Sequence, residues 1–158
     1  TQAAIRTLRA MGTHLLIHQP NYSMLNRRIE NGLTDVLTQE GVGCIAFGPL
    51  CGGLLSSRYL DGLPADSRAV HDPRHLKASD ITEEKLSIVR RLNDVAAERG
   101  QSLAQMALTW TLRTPAVTSA LIGASKPEQI LENVRALDAA PLTREELDKI
   151  DQILARKA

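Results

Sequence analysis

The segment best suited to hold a ligand is Ile122-Gly123-Ala124-Ser125-Lys126-Pro127-Glu128-Gln129, with Glu132 and Asn133 one turn further on. An apolar run ends, a glycine turns the chain, and a serine precedes a helix start. Free backbone N–H groups at such a start point outward, and the helix dipole adds partial positive charge, so the segment is an anion site. Lys126 adds a full charge. Gln129, Glu132 and Asn133 are three or four apart and share one helix face. Two amides and a carboxylate suit a polar ring with both donors and acceptors, such as adenine. The residues alone leave a plainer reading equally open: Ser125 caps the helix and the polar face is solvated.

Three weaker signals accompany it. Phe47-Gly48-Pro49-Leu50-Cys51-Gly52-Gly53 is a glycine-rich stretch that lets backbone approach a ligand closely, or is merely a flexible loop. Arg58 and Arg68 lie on the same long loop, and the guanidinium fork matches phosphate. By themselves they read more readily as surface arginines. Gln19 stands at the C-terminal end of an apolar run, where parallel α/β proteins bind ligands. Its alternative is a hydrogen bond to the next loop.

Other candidates carry less. His14 and His18 are four apart, roughly 13 Å along a strand, too far for one metal. His71-Asp72-Pro73-Arg74-His75 has ligand-like spacing but no second cluster, so no metal site is expected. Cys44 reads as a core residue, and Cys51 falls in the glycine-rich stretch with no neighbour set to activate it. Trp110 shares a helix face with Met106, Ala107 and Leu103, a packing surface.

Helices and parallel strands must position these groups. Strand-like runs cover residues 14–18, 42–47 and 117–122; the middle one is a continuous apolar run of the fully buried kind. Helical patterns cover residues 1–10, a short stripe at Leu33, Val36 and Leu37 ending near Gly41, then 82–99, 102–113, 127–137 and 143–155. Thr143-Arg144-Glu145-Glu146 is a capping box, and residues 48–80 form a long loop. Strands alternating with helices predict a parallel sheet, either doubly wound and open or part of a (β/α)8 barrel. A barrel takes about 250 residues, and this chain has 158 with three strands. It starts at Thr1 in mid-helix, which suggests a processed or truncated product.

Bulk properties exclude several classes. Hydrophobic residues make up 43% and the formal net charge is +1, which argues against a disordered tail and against a nucleic-acid surface. No apolar run reaches the roughly 18 residues of a membrane helix, and no signal peptide is visible. Two cysteines are too few for a disulfide scaffold, so a reduced, cytoplasmic protein is expected.

Taken in order, the segments resemble the aldo-keto reductase family. Leu16-Ile17-His18-Gln19-Pro20-Asn21-Tyr22-Ser23 looks like the family's sixth barrel strand. Gly43-Cys44-Ile45-Ala46-Phe47-Gly48-Pro49-Leu50 looks like the seventh, and Leu121-Ile122-Gly123-Ala124-Ser125 through Asn133 like the eighth with its adenosine-phosphate site. Gly41-Val42-Gly43-Cys44-Ile45-Ala46-Phe47 and Asp66-Ser67-Arg68 are similar to the branch that holds bacterial L-glyceraldehyde 3-phosphate reductases, the nearer likeness, and potassium-channel β subunits. The implied fold is the C-terminal portion, about strands six to eight, of a (β/α)8 barrel, with residues 1–158 forming one partial domain.

The resemblance implies NADP(H) as cofactor. Gln19 would contact the nicotinamide carboxamide, and Phe47 would lie under the ring. Gly48, Pro49, Leu50, Cys51 and Gly52 would wrap the pyrophosphate, and Arg58 and Arg68 would close over it. Gly123, Ser125, Gln129, Glu132 and Asn133 would hold the adenosine end and its 2′-phosphate, with Lys126 a weaker addition. The family's catalytic tyrosine, lysine, aspartate and histidine belong to the first half of the barrel; neither Tyr22 nor Tyr59 matches that motif, so no catalytic residue is assigned. The fifth-strand contacts to the carboxamide are absent too. The implied activity of the full-length protein is reduction of small aldehydes, such as methylglyoxal or glyceraldehyde 3-phosphate, by a homo-oligomer. The alternatives are a regulatory NADP(H)-binding module or an inactive fragment.

Overall fold

The computed structural model describes residues 1–64 and 76–155. Arg68, the Asp66-Ser67 pair and the His71/His75 spacing lie outside the described residues. The chain divides into two compact units, residues 1–49 with 111–122, and residues 50–110 with 123–158.

The first unit is built on a parallel sheet of three strands, β1 (Ile17–His18), β2 (Gly43–Phe47) and β3 (Ser119–Leu121), in the order β1-β2-β3. Helix α1 (Gln2–Ala10) precedes β1, and α2 (Leu33–Glu40) connects β1 to β2. At the end of α2, Gly41 takes φ 65, and Val42 N–H bonds to Leu37 carbonyl at 2.9 Å, which turns the chain into β2. The central strand forms over almost its whole expected length. The edge strands are shorter than the apolar runs that suggested them. An edge strand has a ladder partner on one side only, and β1 pairs with β2 only from Ile17 opposite Gly43. His14 therefore lies outside the strand.

One expectation about β2 is corrected. Its run predicted burial on both faces, but only Cys44 and Ala46 are buried, while Phe47 on the other face is 39% exposed. Side chains alternate across a strand, and in this unit only the Cys44–Ala46 face is fully covered. Leu16, Ile17 and Leu121 are likewise exposed.

The second unit is mainly helical. Residues 51–64, expected as loop, contain short 3-10 turns at Cys51–Gly53 and Ser57–Tyr59; a third lies at Ala78–Asp80. Helix α3 (Glu83–Glu98) starts at Thr82, whose hydroxyl accepts from Lys85 N–H at 3.3 Å. It buries Leu86, Val89, Leu92, Val95 and Ala96, one stripe at helical spacing. Helix α4 (Leu103–Leu112) opens with a reciprocal Ser102–Gln105 cap and crosses from this unit into the first after Trp110. Leu103, Met106, Ala107 and Trp110 are all buried, as their spacing predicts.

Helix α5 (Pro127–Val134) tightens into a 3-10 turn at Arg135–Asp138 instead of running on to Leu137. Side chains of α4 take carbonyls there: Gln105 donates to Glu132 O at 3.1 Å and Thr109 to Ala136 O at 3.3 Å. Helix α6 (Arg144–Ala155) packs on α3 and carries the expected capping box, Thr143 N–H to Glu146 at 2.7 Å and Glu146 N–H to Thr143 Oγ1 at 3.2 Å. Arg99 ties this corner together, donating to Glu146, to Gln101 at 2.8 Å and to Ala140 O at 2.7 Å. Among the described residues, no helix is long and apolar enough to cross a membrane.

Candidate functional site

In the first unit the candidate residues gather at the C-terminal end of the sheet. Gln19 follows the last residue of β1 and is exposed. The ladder continues past β1, with Phe47 N–H donating to Pro20 O at 2.9 Å and Tyr22 N–H donating to Phe47 O at 3.1 Å. Phe47 ends β2 opposite Leu121. Gly48 takes φ +68, and a Cβ there would come within 3.1 Å of Asn21 Nδ2, so conformation and crowding both call for glycine. Asn21 is held in turn, its Oδ1 accepting from Asn26 at 2.7 Å. Pro49 is buried beside them.

Behind this end lies a charged cluster that the sequence reading did not find. Tyr22 is fully buried, and its hydroxyl donates to Glu30 at 2.6 Å and accepts from Arg113 at 2.7 Å. Arg113 also donates to Glu30 at 2.8 Å, as does Arg27 at 2.8 Å. Burial and the Glu30 hydrogen bond push the Tyr22 phenol well above its ordinary value. Burial also works to raise the Glu30 carboxyl, but hydrogen bonds from Arg27, Tyr22 and Arg113 outweigh it and hold it low. Tyr22 and Arg113 are 91 residues apart, and no local pattern links them. Burial pushes the Cys44 thiol up, as suits a core cysteine.

In the second unit, Leu50 is half-buried and leads into the Cys51–Gly53 turn. Cys51, Gly52 and Gly53 have φ of 50, 67 and 97 in succession. Cys51, without glycine's freedom, takes the left-handed region that L residues seldom adopt. Ser56 joins this turn to Arg58: its hydroxyl donates to Gly53 O at 2.6 Å and accepts from Arg58 N–H at 3.3 Å. The Arg58 side chain is exposed. Sequence reasoning passed over Ser56, although a serine two residues before an arginine-bearing turn is a usual turn-forming pattern.

The 123–133 segment differs in detail from its expectation. Lys126, not Ser125, is the N-cap of α5. Gln129 turns back, and its Oε1 accepts from Ser125 N–H at 2.8 Å, Ser125 Oγ at 3.2 Å and Lys126 N–H at 3.3 Å. A capping carbonyl thus sits where an anion would. The shared polar face is also broken, because Asn133 is buried, Glu132 is half-buried and Gln129 points to the helix start. The helix carries two other obligations: it buries one face and satisfies its own N-terminus. Gly123 has open space around its Cα. Among the described residues, no group of histidine, cysteine and carboxylate side chains is placed to hold a metal ion.

The sequence pattern of the aldo/keto reductase family matches residues 2–155. This chain belongs to the aldo/keto reductase family. It is 49% identical, over 98% of its length, to L-glyceraldehyde 3-phosphate reductase of Escherichia coli (strain K12), and covers 46% of that protein. It is 36% identical to a probable voltage-gated potassium channel subunit beta of Oryza sativa subsp. japonica, over 90% of this chain and 44% of the relative. The structure of a glycerol dehydrogenase from Gluconobacter oxydans matches with a TM-score of 0.72 and 31% identity, over 90% of this chain and 43% of that one. The chain therefore spans about half the length of the curated relatives it matches. Its α/β fold is that of an aldo/keto reductase in part.

Proposed function

We propose that residues 1–158 are one partial barrel domain, about strands six to eight of a (β/α)8 barrel, in a protein that reduces small aldehydes with NADPH. The observation that carries this reading is the gathering of Gln19, Phe47 and Gly48 at the C-terminal end of a parallel sheet in an aldo/keto reductase chain. That end is where barrel enzymes place their sites.

The residues suit the cofactor. Gln19 offers an exposed amide to a carboxamide, and Phe47 offers a partly open ring to the nicotinamide face. Gly48, Pro49, Leu50, Cys51 and Gly52 bring backbone close to a pyrophosphate, and Arg58 and Arg68 add positive charge. Gly123, Ser125, Gln129, Glu132 and Asn133 take the adenosine end, where a phosphate would take over the Ser125 and Lys126 N–H groups that Gln129 occupies. NADPH supplies the hydride when bound. The chain's own work is to orient the nicotinamide and neutralise the phosphates. Tyr22 and Tyr59 are both buried, which supports assigning the proton donor to the first half of the barrel. The isolated chain is then inactive, and the full-length protein is a cytoplasmic homo-oligomer.

Likeness to channel β subunits favours a second reading, a regulatory module that holds NADP(H) without sustained turnover. NADPH consumption by the full-length protein with methylglyoxal or glyceraldehyde 3-phosphate separates the two. Steady consumption is expected. Tight NADPH binding with negligible consumption would overturn the enzyme reading.

A further inference from the structure

Tyr22, Glu30 and Arg113 belong to no step of the proposed chemistry, yet they form a part-buried charged cluster around the fully buried Tyr22, whose backbone N–H bonds to Phe47 at the end of the sheet. Their three mutual bonds are 2.6, 2.7 and 2.8 Å long, and Arg27 adds another to Glu30. Part-exposed ion pairs of this kind contribute little stability by themselves. The cluster's distinguishing property is directional: every partner must occupy one place for the polar atoms to be satisfied.

The place it selects is informative. Tyr22 backbone N–H holds Phe47 O, and Phe47 N–H is held by Pro20 O, one residue beyond Gln19. Asn21, between them, abuts Gly48. Moving the Tyr22 ring therefore moves the strand extension that spaces Gln19, Phe47 and Gly48.

We infer that Tyr22, Glu30 and Arg113 are positioning residues for the nicotinamide end of the site. The inference rests on the NADPH reading above. Tyr22→Phe removes the hydroxyl and keeps the ring. In the full-length protein it raises the Kd for NADPH about tenfold, because the strand extension that spaces Gln19, Phe47 and Gly48 is no longer held in one place. It leaves the Kd for 2′,5′-ADP, which lacks the nicotinamide, within about twofold.

Arg113→Lys, which keeps the charge but loses the fork, shows the same split and serves if Tyr22→Phe does not fold. Equal weakening of both ligands would mean general destabilisation and overturn the inference. Unchanged NADPH binding in the variants would overturn it too, while leaving the NADPH reading intact. If the unsubstituted protein bound neither ligand, the NADPH reading itself would fall, and the inference with it.

Discussion

The Gln129 side-chain carbonyl lies 2.8 Å from Ser125 N and accepts its hydrogen bond. The same oxygen accepts from Lys126 N–H at 3.3 Å. The helix start that resembles the family's phosphate subsite is therefore closed on itself. On the proposed placement of the 2′-phosphate, that group would replace the Gln129 oxygen as acceptor, so Gln129 would bear on both the stability of α5 and cofactor binding.

Gln129→Glu tests that double role. Glutamate at this position keeps the capping box but places a negative charge beside the anion position. The thermal midpoint of the full-length protein should barely move. NADPH binding should weaken by between about 1 and 4 kcal/mol from like-charge repulsion, while NADH, without the 2′-phosphate, is little affected. Isothermal titration with both cofactors checks this; equal effects on the two would refute the placement.

Ser125→Ala and Arg68→Ala should each weaken NADPH binding to the full-length protein. The loss of a charge-assisted phosphate hydrogen bond costs about 1.5–3 kcal/mol. Fluorescence titration of NADPH measures it. Binding like that of the unsubstituted protein in both variants would place the phosphates elsewhere.

Trp110 is fully buried among α4 neighbours Met106 and Ala107. Trp110→Ala should destabilise the full-length protein by about 3–5 kcal/mol through lost burial and the cavity left behind. Denaturant unfolding gives the number, and a loss below about 1 kcal/mol would mean that the side chain is not in a packed core.

The carboxyls of Glu30 and Glu146 are both held below their ordinary value of 4.5. For each, burial acts to raise it, and hydrogen bonds overcome that effect. A depressed carboxyl contributes stability above its unfolded value and loses it as pH falls through the folded one. Stability should thus drop below about pH 4.5. Tyr22 acts at the other end. Its phenol is raised above 10.0, so the unfolded chain loses that proton first, and stability falls as pH rises past 10.0. Thermal midpoints against pH check both limbs; Tyr22→Phe should flatten the alkaline limb, and an unchanged limb would refute this assignment.

The 158-residue chain by itself should be poorly stable. Ile17 and Leu121 are exposed on the edge strands of the first unit, with Leu16 just before β1, and Ile130, Leu131, Val134 and Leu137 are exposed near α5 in the second. Open strand edges and apolar stripes favour association. Broad unfolding with concentration-dependent aggregation is expected in calorimetry and gel filtration. A cooperative melt of a monomer would contradict it.

Much of the architecture was legible because it follows from local chemistry. Thr82, Ser102 and the Thr143–Glu146 box announce helix starts with their own side chains, and Gly41 marks a helix end through a backbone angle that glycine tolerates. The apolar runs identified the strands of the described sheet, and their alternation with helices gave the parallel orientation. Strand length was less legible, since it depends on having a partner on each side, and among the described strands only β2 does.

The sequence by itself determined the order of helices and strands, the family, and which residues are candidates for a cofactor. Those properties reside in neighbours along the chain or in motifs read in order. Only the tertiary structure decided that Tyr22 meets Arg113, 91 residues away, and that Asn133 is buried. The physical reason is common to these cases: a polar side chain bonds to whatever the fold brings within about 3 Å, and distance in space is not written in spacing along the chain.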